Sequence, residues 1–215
     1  GVFINRKIVY IKPDIYLIMD EMYTGGAHTY RQYWNFSERG QVNLEGSNQN
    51  CAVFQGNKAR ADFYFLTPGT EPELYEGKIA RHYNRYEKRQ GICVKYQAEG
   101  FASLLTVIHA APDGKPESIL VEKIPVNSAL KGIQYPEIFQ LVSLLVRTPG
   151  FNYVFTTMAE AVKISCHGTE YVVIFCHQEV NSPTDLEEAD GCMGYGNVIV
   201  FDKKKDVLAG TVLQY

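Results

Sequence analysis

Short apolar runs recur along the whole chain, and Gly, Pro and Asn residues separate them. Runs of this length, rich in β-branched and aromatic residues, are typical of β-strands joined by tight turns. In the first half the predicted strands are 6–12, 15–19, 28–36, 51–54, 61–66, 79–86, 92–96 and 102–108. In the second half they are 161–165, 171–176, 197–201 and 207–213. This pattern predicts an all-β fold, an antiparallel β-sandwich with at most one or two short helices.

One segment departs from the strand pattern. Pro136 stands at a favourable first helical position, and Glu137, Gln140 and Arg147 follow at roughly helical spacing. A short helix is therefore predicted there, before the breakers at 149–150.

The strongest break in the chain is the Pro- and Gly-rich stretch 111–116. It divides the predicted strands into two ranges, 1–113 and 114–215. The first range carries the sandwich strands. The second either continues the same sandwich or forms a small second β unit, and both organisations fit the pattern.

Charge and hydropathy exclude some partners. The net charge of -3 provides no overall basic field for a nucleic acid or an anionic membrane. No apolar run approaches the roughly 20 residues that a membrane-spanning helix needs. The 15 Tyr residues suit strands, although tyrosine rings also stack on sugars.

No catalytic or metal-binding residue is predicted. The sequence has no G-x-S-x-G motif, its five His residues lack metal-ligand spacing, and its five Cys residues form no C-x-x-C pair. Cys166 and Cys176 flank a predicted hairpin, where a disulfide and simple apolar packing of two thiols are both open.

The basic run 78–89 (KIARHYNRYEKR) is the first candidate binding strip. As one continuous strand it places Arg81, Tyr83, Arg85 and Arg89 on one face. Guanidinium forks beside an aromatic ring suit the carboxylates or sulfates of an acidic polysaccharide. A charged edge strand that resists aggregation is the alternative interpretation.

The run 28–36 (HTYRQYWNF) is the second strip. Alternation directs Arg31, Tyr33 and Asn35 outward, or toward a neighbouring domain, while Trp34 and Phe36 belong to the core. We add His28, at the start of the run, to the candidate substrate-binding residues.

Three stretches resemble a known family. Residues 6–21 (RKIVYIKPDIYLIMDE) are similar to a stretch of the heparinase II/III-like polysaccharide lyases, and residues 28–36 and 76–83 are similar to later strands of that family. The likeness covers roughly the first half of the chain and fades beyond residue 115.

The resemblance implies a supersandwich-like C-terminal β domain. It would follow a helical toroid, with an acidic polysaccharide lying in the cleft between the two. These lyases cleave uronic-acid chains by β-elimination, and most of their catalytic groups lie in the toroid. The chain would then be a scaffold and one wall of the cleft, inactive alone, within a periplasmic or secreted bacterial protein.

The resemblance also bears on cofactors. In many relatives a His that contributes to a zinc site stands where this chain has Asn35, and Asn is a poor zinc ligand. No cofactor is therefore expected. A non-catalytic carbohydrate-binding or structural β-sandwich module is the alternative function, and aromatic residues exposed in a line are compatible with it.

Overall fold

The computed structural model describes residues 1–46, 49–111, 119–125, 156–166, 168–179, 198–201 and 207–211. These ranges contain strands and no helix. The strands are β1 (Phe3–Ile11), β2 (Ile15–Tyr23), β3 (Ala27–Asn35), β4 (Gly40–Glu45), β5 (Cys51–Gly56), β6 (Arg60–Phe65), β7 (Glu71–His82), β8 (Arg85–Glu99), β9 (Ala102–Ala111), β10 (Leu120–Ile124), β11 (Thr156–Cys166), β12 (Thr169–Glu179), β13 (Val198–Phe201) and β14 (Val207–Thr211). The all-β prediction is confirmed, whereas the helix predicted after Pro136 lies outside the described residues.

The strands form three antiparallel sheets. The six-stranded sheet has the order β1-β2-β9-β6-β5-β4, the five-stranded sheet β10-β11-β12-β13-β14, and the three-stranded sheet β3-β8-β7. In β2 nearly every residue is buried, so both faces of the six-stranded sheet are covered at this strand. This explains why the run 15–19 is apolar throughout: a strand in a middle layer has no face in contact with solvent.

Each face of the six-stranded sheet packs against a different neighbour. Alternate residues of β2 and β9, including Leu17 and Val107, meet Val162 and Phe175 of the five-stranded sheet in one core. On the opposite face, residues of β4, β5 and β6 meet Ile92 and other residues of the three-stranded sheet in a second core. The predicted sandwich is thus confirmed and contains a further layer.

Charged and polar side chains link β1 to β2, and the six-stranded sheet to the three-stranded sheet. The Arg6 guanidinium binds both carboxylate oxygens of Asp20, at 2.5 and 2.6 Å, and this hydrogen bonding raises the pKa of Arg6. Asp20 also accepts a hydrogen bond of 2.8 Å from the Gln32 amide of the three-stranded sheet. On the other face of β2, the buried Glu21 carboxylate pairs with the Lys7 ammonium. The middle layer is therefore held by polar as well as apolar contacts.

The register of the β11–β12 hairpin separates two cysteines. Cys166 lies opposite Thr169, whereas Cys176 lies opposite Ala159, seven residues further along β12. At about 3.3 Å per residue the two cysteines lie about 23 Å apart along the strand. A disulfide needs Cα atoms within about 7 Å, so Cys166 and Cys176 do not pair. Cys166 instead packs in the first core.

The first core contains residues from both predicted ranges, since Leu17 and Val107 belong to 1–113 and Phe175 to 114–215. The boundary itself falls outside the described residues and stays a prediction. No helix in the described part of the chain has the length and apolar character needed to cross a membrane.

Candidate functional site

The basic run 78–89 is a hairpin and not one strand, so the prediction of a single basic face is wrong. Strand β7 ends at His82, β8 begins at Arg85, and these two residues pair across the turn. Asn84 adopts a φ of 58° in this turn. Asn tolerates this left-handed conformation better than most residues, which allows a tight two-residue connection.

Because the run is a hairpin, its candidate substrate-binding residues lie in different environments. Arg81 forms a two-pronged ion pair with Glu38, with distances of 2.7 and 2.8 Å, so its guanidinium fork already holds a carboxylate. Tyr83 is 93% exposed at the tip of the hairpin, and Arg85 is exposed beside it. Strand β7 lies at the edge of its sheet, which fits the alternative interpretation of the run as a charged edge strand that resists aggregation. A substrate role for these three residues stays a prediction.

The ion pair between Arg81 and Glu38 predicts a pH effect on stability. The hydrogen bond from Arg81 lowers the pKa of Glu38 to about 2. A carboxyl group whose pKa is depressed by folding stabilises the fold above its ordinary pKa, and this contribution is lost as the pH falls toward the depressed value. We expect Glu38→Gln to lower the urea midpoint near pH 6, and the difference from wild type to vanish near pH 2. Glu99→Gln, at an exposed site, is the control, and a Glu38→Gln midpoint equal to wild type at both pH values would exclude the effect.

The second predicted strip does form one exposed face. Arg31, Tyr33 and Asn35 are all exposed on β3, while Gln32 is buried between them, as alternation predicted. Trp34 packs against the second core, which confirms its predicted position.

A residue that the sequence did not reveal completes this surface. The Tyr75 ring lies 5.6 Å from the Tyr33 ring in an edge-to-face arrangement, and its hydroxyl donates a hydrogen bond to Oδ1 of Asn35. In the register, Asn35 and Tyr75 both pair with Gly91, from opposite sides. A side chain at Gly91 would collide with the Tyr75 ring, so the missing Cβ lets the ring cross the central strand to Asn35. We call the surface formed by Arg31, Tyr33, Asn35 and Tyr75 the tyrosine face.

The tyrosine face carries an available positive charge. Lys95, the strand partner of Arg31, is paired with Glu73 at 2.7 Å, and this hydrogen bond raises the pKa of Lys95. Arg31 has no hydrogen-bond or ion-pair partner among the residues that the structure describes. A hydrogen bond with the Cys93 thiol raises the pKa of Tyr33, which favours the neutral phenol. The surface therefore offers one unpaired guanidinium beside the Tyr33 and Tyr75 rings.

His28 lies apart from these groups. It is exposed at the start of β3, where its ring is 6.0 Å from the buried Tyr30. Alternation along β3 places it on the same side as Tyr30 and opposite to Tyr33. Its predicted part in binding stays a prediction, and the structure does not bring it onto the tyrosine face.

Asn35, where the family resemblance implied a zinc-binding His in many relatives, does not fit zinc in this chain. Asn35 directs Oδ1 to the Tyr75 hydroxyl. Zinc sites in proteins are built from His, Cys and carboxylate ligands. Within the described ranges, no group of three or more His, Cys, Asp or Glu side chains is placed to hold a metal.

The chemistry of the tyrosine face suits recognition of a sugar chain. A guanidinium binds carboxylate and sulfate groups through paired hydrogen bonds. Aromatic rings present apolar surface with a polar tip, to which sugar rings are complementary. The Asn35 amide adds a further polar group.

Comparison with known proteins shows the fold. The crystal structure of heparan sulfate lyase HepC from Pedobacter heparinus matches with a TM-score of 0.55 and 12% sequence identity, over 82% of this chain and 23% of that chain. A heparinase III gene product matches with a TM-score of 0.54 and 10% identity, over 80% of this chain and 23% of that chain. No protein-family model and no curated protein sequence matches. The chain thus has the fold of a part of these lyases and spans about a quarter of their length.

Proposed function

We propose that this chain is the β domain of a polysaccharide lyase that acts on uronic-acid chains, and that the tyrosine face forms one wall of its substrate cleft. The shared fold with heparan sulfate lyases supports a lyase-related domain. The observation that carries the proposal is the unpaired Arg31 beside the Tyr33–Tyr75 pair on an exposed sheet.

The remaining parts of the proposal follow from the family resemblance. The catalytic groups belong to a helical toroid domain that faces the tyrosine face across the cleft, and this chain is inactive alone. The substrate is an acidic polysaccharide, and the protein works in the bacterial periplasm or outside the cell.

Substitutions on the tyrosine face test the proposed wall. We expect Arg31→Ala/Tyr33→Ala to weaken binding of heparan sulfate oligosaccharides to the 215-residue chain by at least tenfold, because a hydrogen bond to a charged group contributes about 1.5 kcal/mol or more. Titrations followed by NMR measure the binding, and they detect the weak binding that is expected when only one wall of the cleft is present. Tyr10→Ala/Lys58→Ala removes one tyrosine and one cation elsewhere and serves as the matched control. Equal affinities of the two double variants would show that the tyrosine face is not the binding site.

A carbohydrate-binding module that works alone is the second candidate, and the 54% exposure of Tyr33 is the observation that favours it. The affinity for an uncharged glycan distinguishes the two candidate functions. Binding of cellotetraose as tight as that of a heparan sulfate tetrasaccharide would favour the module, since the Arg31 guanidinium contributes nothing specific to an uncharged chain.

A further inference from the structure

A second arginine lies on the same side of the three-stranded sheet as the tyrosine face. Side chains alternate along β8, so Arg89 points to the same side as position 91, two residues further on. Gly91 is the strand partner of both Asn35 and Tyr75. The Arg89 guanidinium therefore belongs to the surface that carries the tyrosine face, while its neighbour Lys88 lies on the other side of the sheet.

Two glycines make room for the large side chains of this surface. Gly91 lies opposite Tyr75, and Gly77 lies opposite Arg89. A Cβ on Gly77 would lie 3.3 Å from the Tyr75 ring and 3.5 Å from Nε of Arg89. The Arg89 side chain thus lies across the backbone of Gly77, with the Tyr75 ring as its neighbour there.

Arg89 carries a charge that the described residues leave unpaired. It forms no ion pair with them and donates no hydrogen bond to them, and its Nε is buried without an acceptor. The two Nη atoms are not among the buried groups, so an anion from solution can reach them. A buried N–H without an acceptor is costly, and more so in a charged group. An anionic ligand on this guanidinium would supply the charge that the protein does not.

The two unpaired guanidinium groups lie at opposite ends of one surface. Arg31 is the strand partner of Lys95, which is six residues, or about 20 Å, along β8 from Arg89. The rings of Tyr33 and Tyr75 lie between the two ends, because their strand partners are the intermediate positions 93 and 91. This separation is several times the length of one sugar ring, so a disaccharide cannot reach both guanidinium groups.

We propose that Arg89 forms a second anion subsite beside the tyrosine face, and that an acidic saccharide lies along β8 with one carboxylate or sulfate on Arg31 and another on Arg89. This inference rests on the proposed function, and it adds the direction of the bound chain and the length that the domain recognises. The tyrosine rings contact the sugars between the two anions. The domain then selects chains that repeat their negative charge over a chain with one charged sugar.

Binding as a function of chain length tests the second subsite. The ¹⁵N-labelled 215-residue chain is titrated with a heparan sulfate disaccharide and with a decasaccharide, and the backbone amide signals of residues 31–35 and of Gly77 are followed. We expect the decasaccharide to shift both sets of signals together. It should bind at least tenfold more tightly than the disaccharide, because a single chain occupies both subsites.

Two variants of neighbouring residues assign this gain to Arg89. We expect Arg89→Gln to lower the decasaccharide affinity at least tenfold and to abolish the shift of Gly77. The disaccharide affinity measured at residues 31–35 should stay unchanged, which also shows that the variant is folded. Lys88→Gln removes the same charge one residue away, on the opposite side of β8, and should leave every affinity unchanged.

An alginate decasaccharide, which carries carboxylates without sulfates, identifies the anion. A shift of Gly77 with alginate assigns a carboxylate to Arg89, and a shift with heparan sulfate alone assigns a sulfate. Absence of a Gly77 shift with both chains overturns the second subsite.

The outcomes distinguish failure of the subsite from failure of the proposed function. Equal decasaccharide affinities of wild type and Arg89→Gln, with shifts still present at residues 31–35, overturn the subsite and leave the proposed function standing. Equal losses in Arg89→Gln and Lys88→Gln overturn the subsite as well, because the effect would then be one of overall charge. Absence of shifts at residues 31–35 with every acidic chain overturns the proposed function, and the subsite with it.

Discussion

Replacing Glu21 with Gln is expected to lower the free energy of unfolding by about 3 kcal/mol, because the buried Lys7 ammonium loses its carboxylate. Alternation along β2 places Glu21 on the same face as Leu17 of the first core. The exposures of the two side chains are 1% for Glu21 and 8% for Lys7. Asn5 donates a hydrogen bond of 2.9 Å to the same carboxylate and would lose a charged acceptor as well. Urea unfolding at neutral pH measures the change.

Two further variants show whether burial is the cause. The double change Lys7→Met/Glu21→Leu removes both charges, so we expect it to recover most of the lost stability. Glu76→Gln breaks the exposed pair with Lys88 and should cost less than about 1 kcal/mol. Similar losses for Glu21→Gln and Glu76→Gln would show that burial does not strengthen the inner pair.

Replacing Phe175 with Ala is expected to lower the free energy of unfolding by about 3 to 5 kcal/mol, because the cavity left in a packed core closes only in part. Phe175 is fully buried and packs in the same core as Leu17 and Val107 of the six-stranded sheet. Since the two sheets share this core, the variant should lower the stability of the strands in both. Urea unfolding followed by circular dichroism and by tryptophan fluorescence measures the loss, and the two signals should coincide.

Phe175→Leu and Leu120→Ala are the comparisons for this prediction. Leucine keeps much of the apolar volume and should cost less than half as much as alanine. Leu120 is 59% exposed on β10, so its truncation should change stability by about 0.5 kcal/mol or less. Separate transitions for the two signals would indicate that the five-stranded sheet unfolds as an independent unit.

The local pattern of apolar and polar residues was sufficient to predict most of the strands. The run at 15–19 is apolar throughout because β2 lies in a middle layer, and the strip at 28–36 alternates because β3 has one solvent face. β4 was missed, although Val42 and Leu44 alternate with polar residues there, because the strand is short and otherwise polar. The alternation was the signal that could have revealed it.

The candidate site was predictable only in part. The run 78–89 has no Gly or Pro, so nothing but Asn84 indicated that it turns back on itself. Tyr75 follows Pro72 in an acidic stretch that resembles a loop, and its contact with Asn35 depends on the register that places Gly91 between them. Register between strands distant in sequence is a property of the whole sheet, which local periodicity does not determine.

Ultraviolet absorbance of the unsaturated uronate product tests the central claim most directly. The assay uses the protein in which this chain accompanies the proposed helical domain, with heparan sulfate, chondroitin sulfate, hyaluronan and alginate as substrates. We expect absorbance to rise with at least one of them, and kcat/KM to fall at least tenfold in Arg31→Ala/Tyr33→Ala but not in Tyr10→Ala/Lys58→Ala. A flat trace with all four substrates, or a tyrosine-face variant as active as wild type, would contradict the proposal that this domain forms a wall of a lyase cleft.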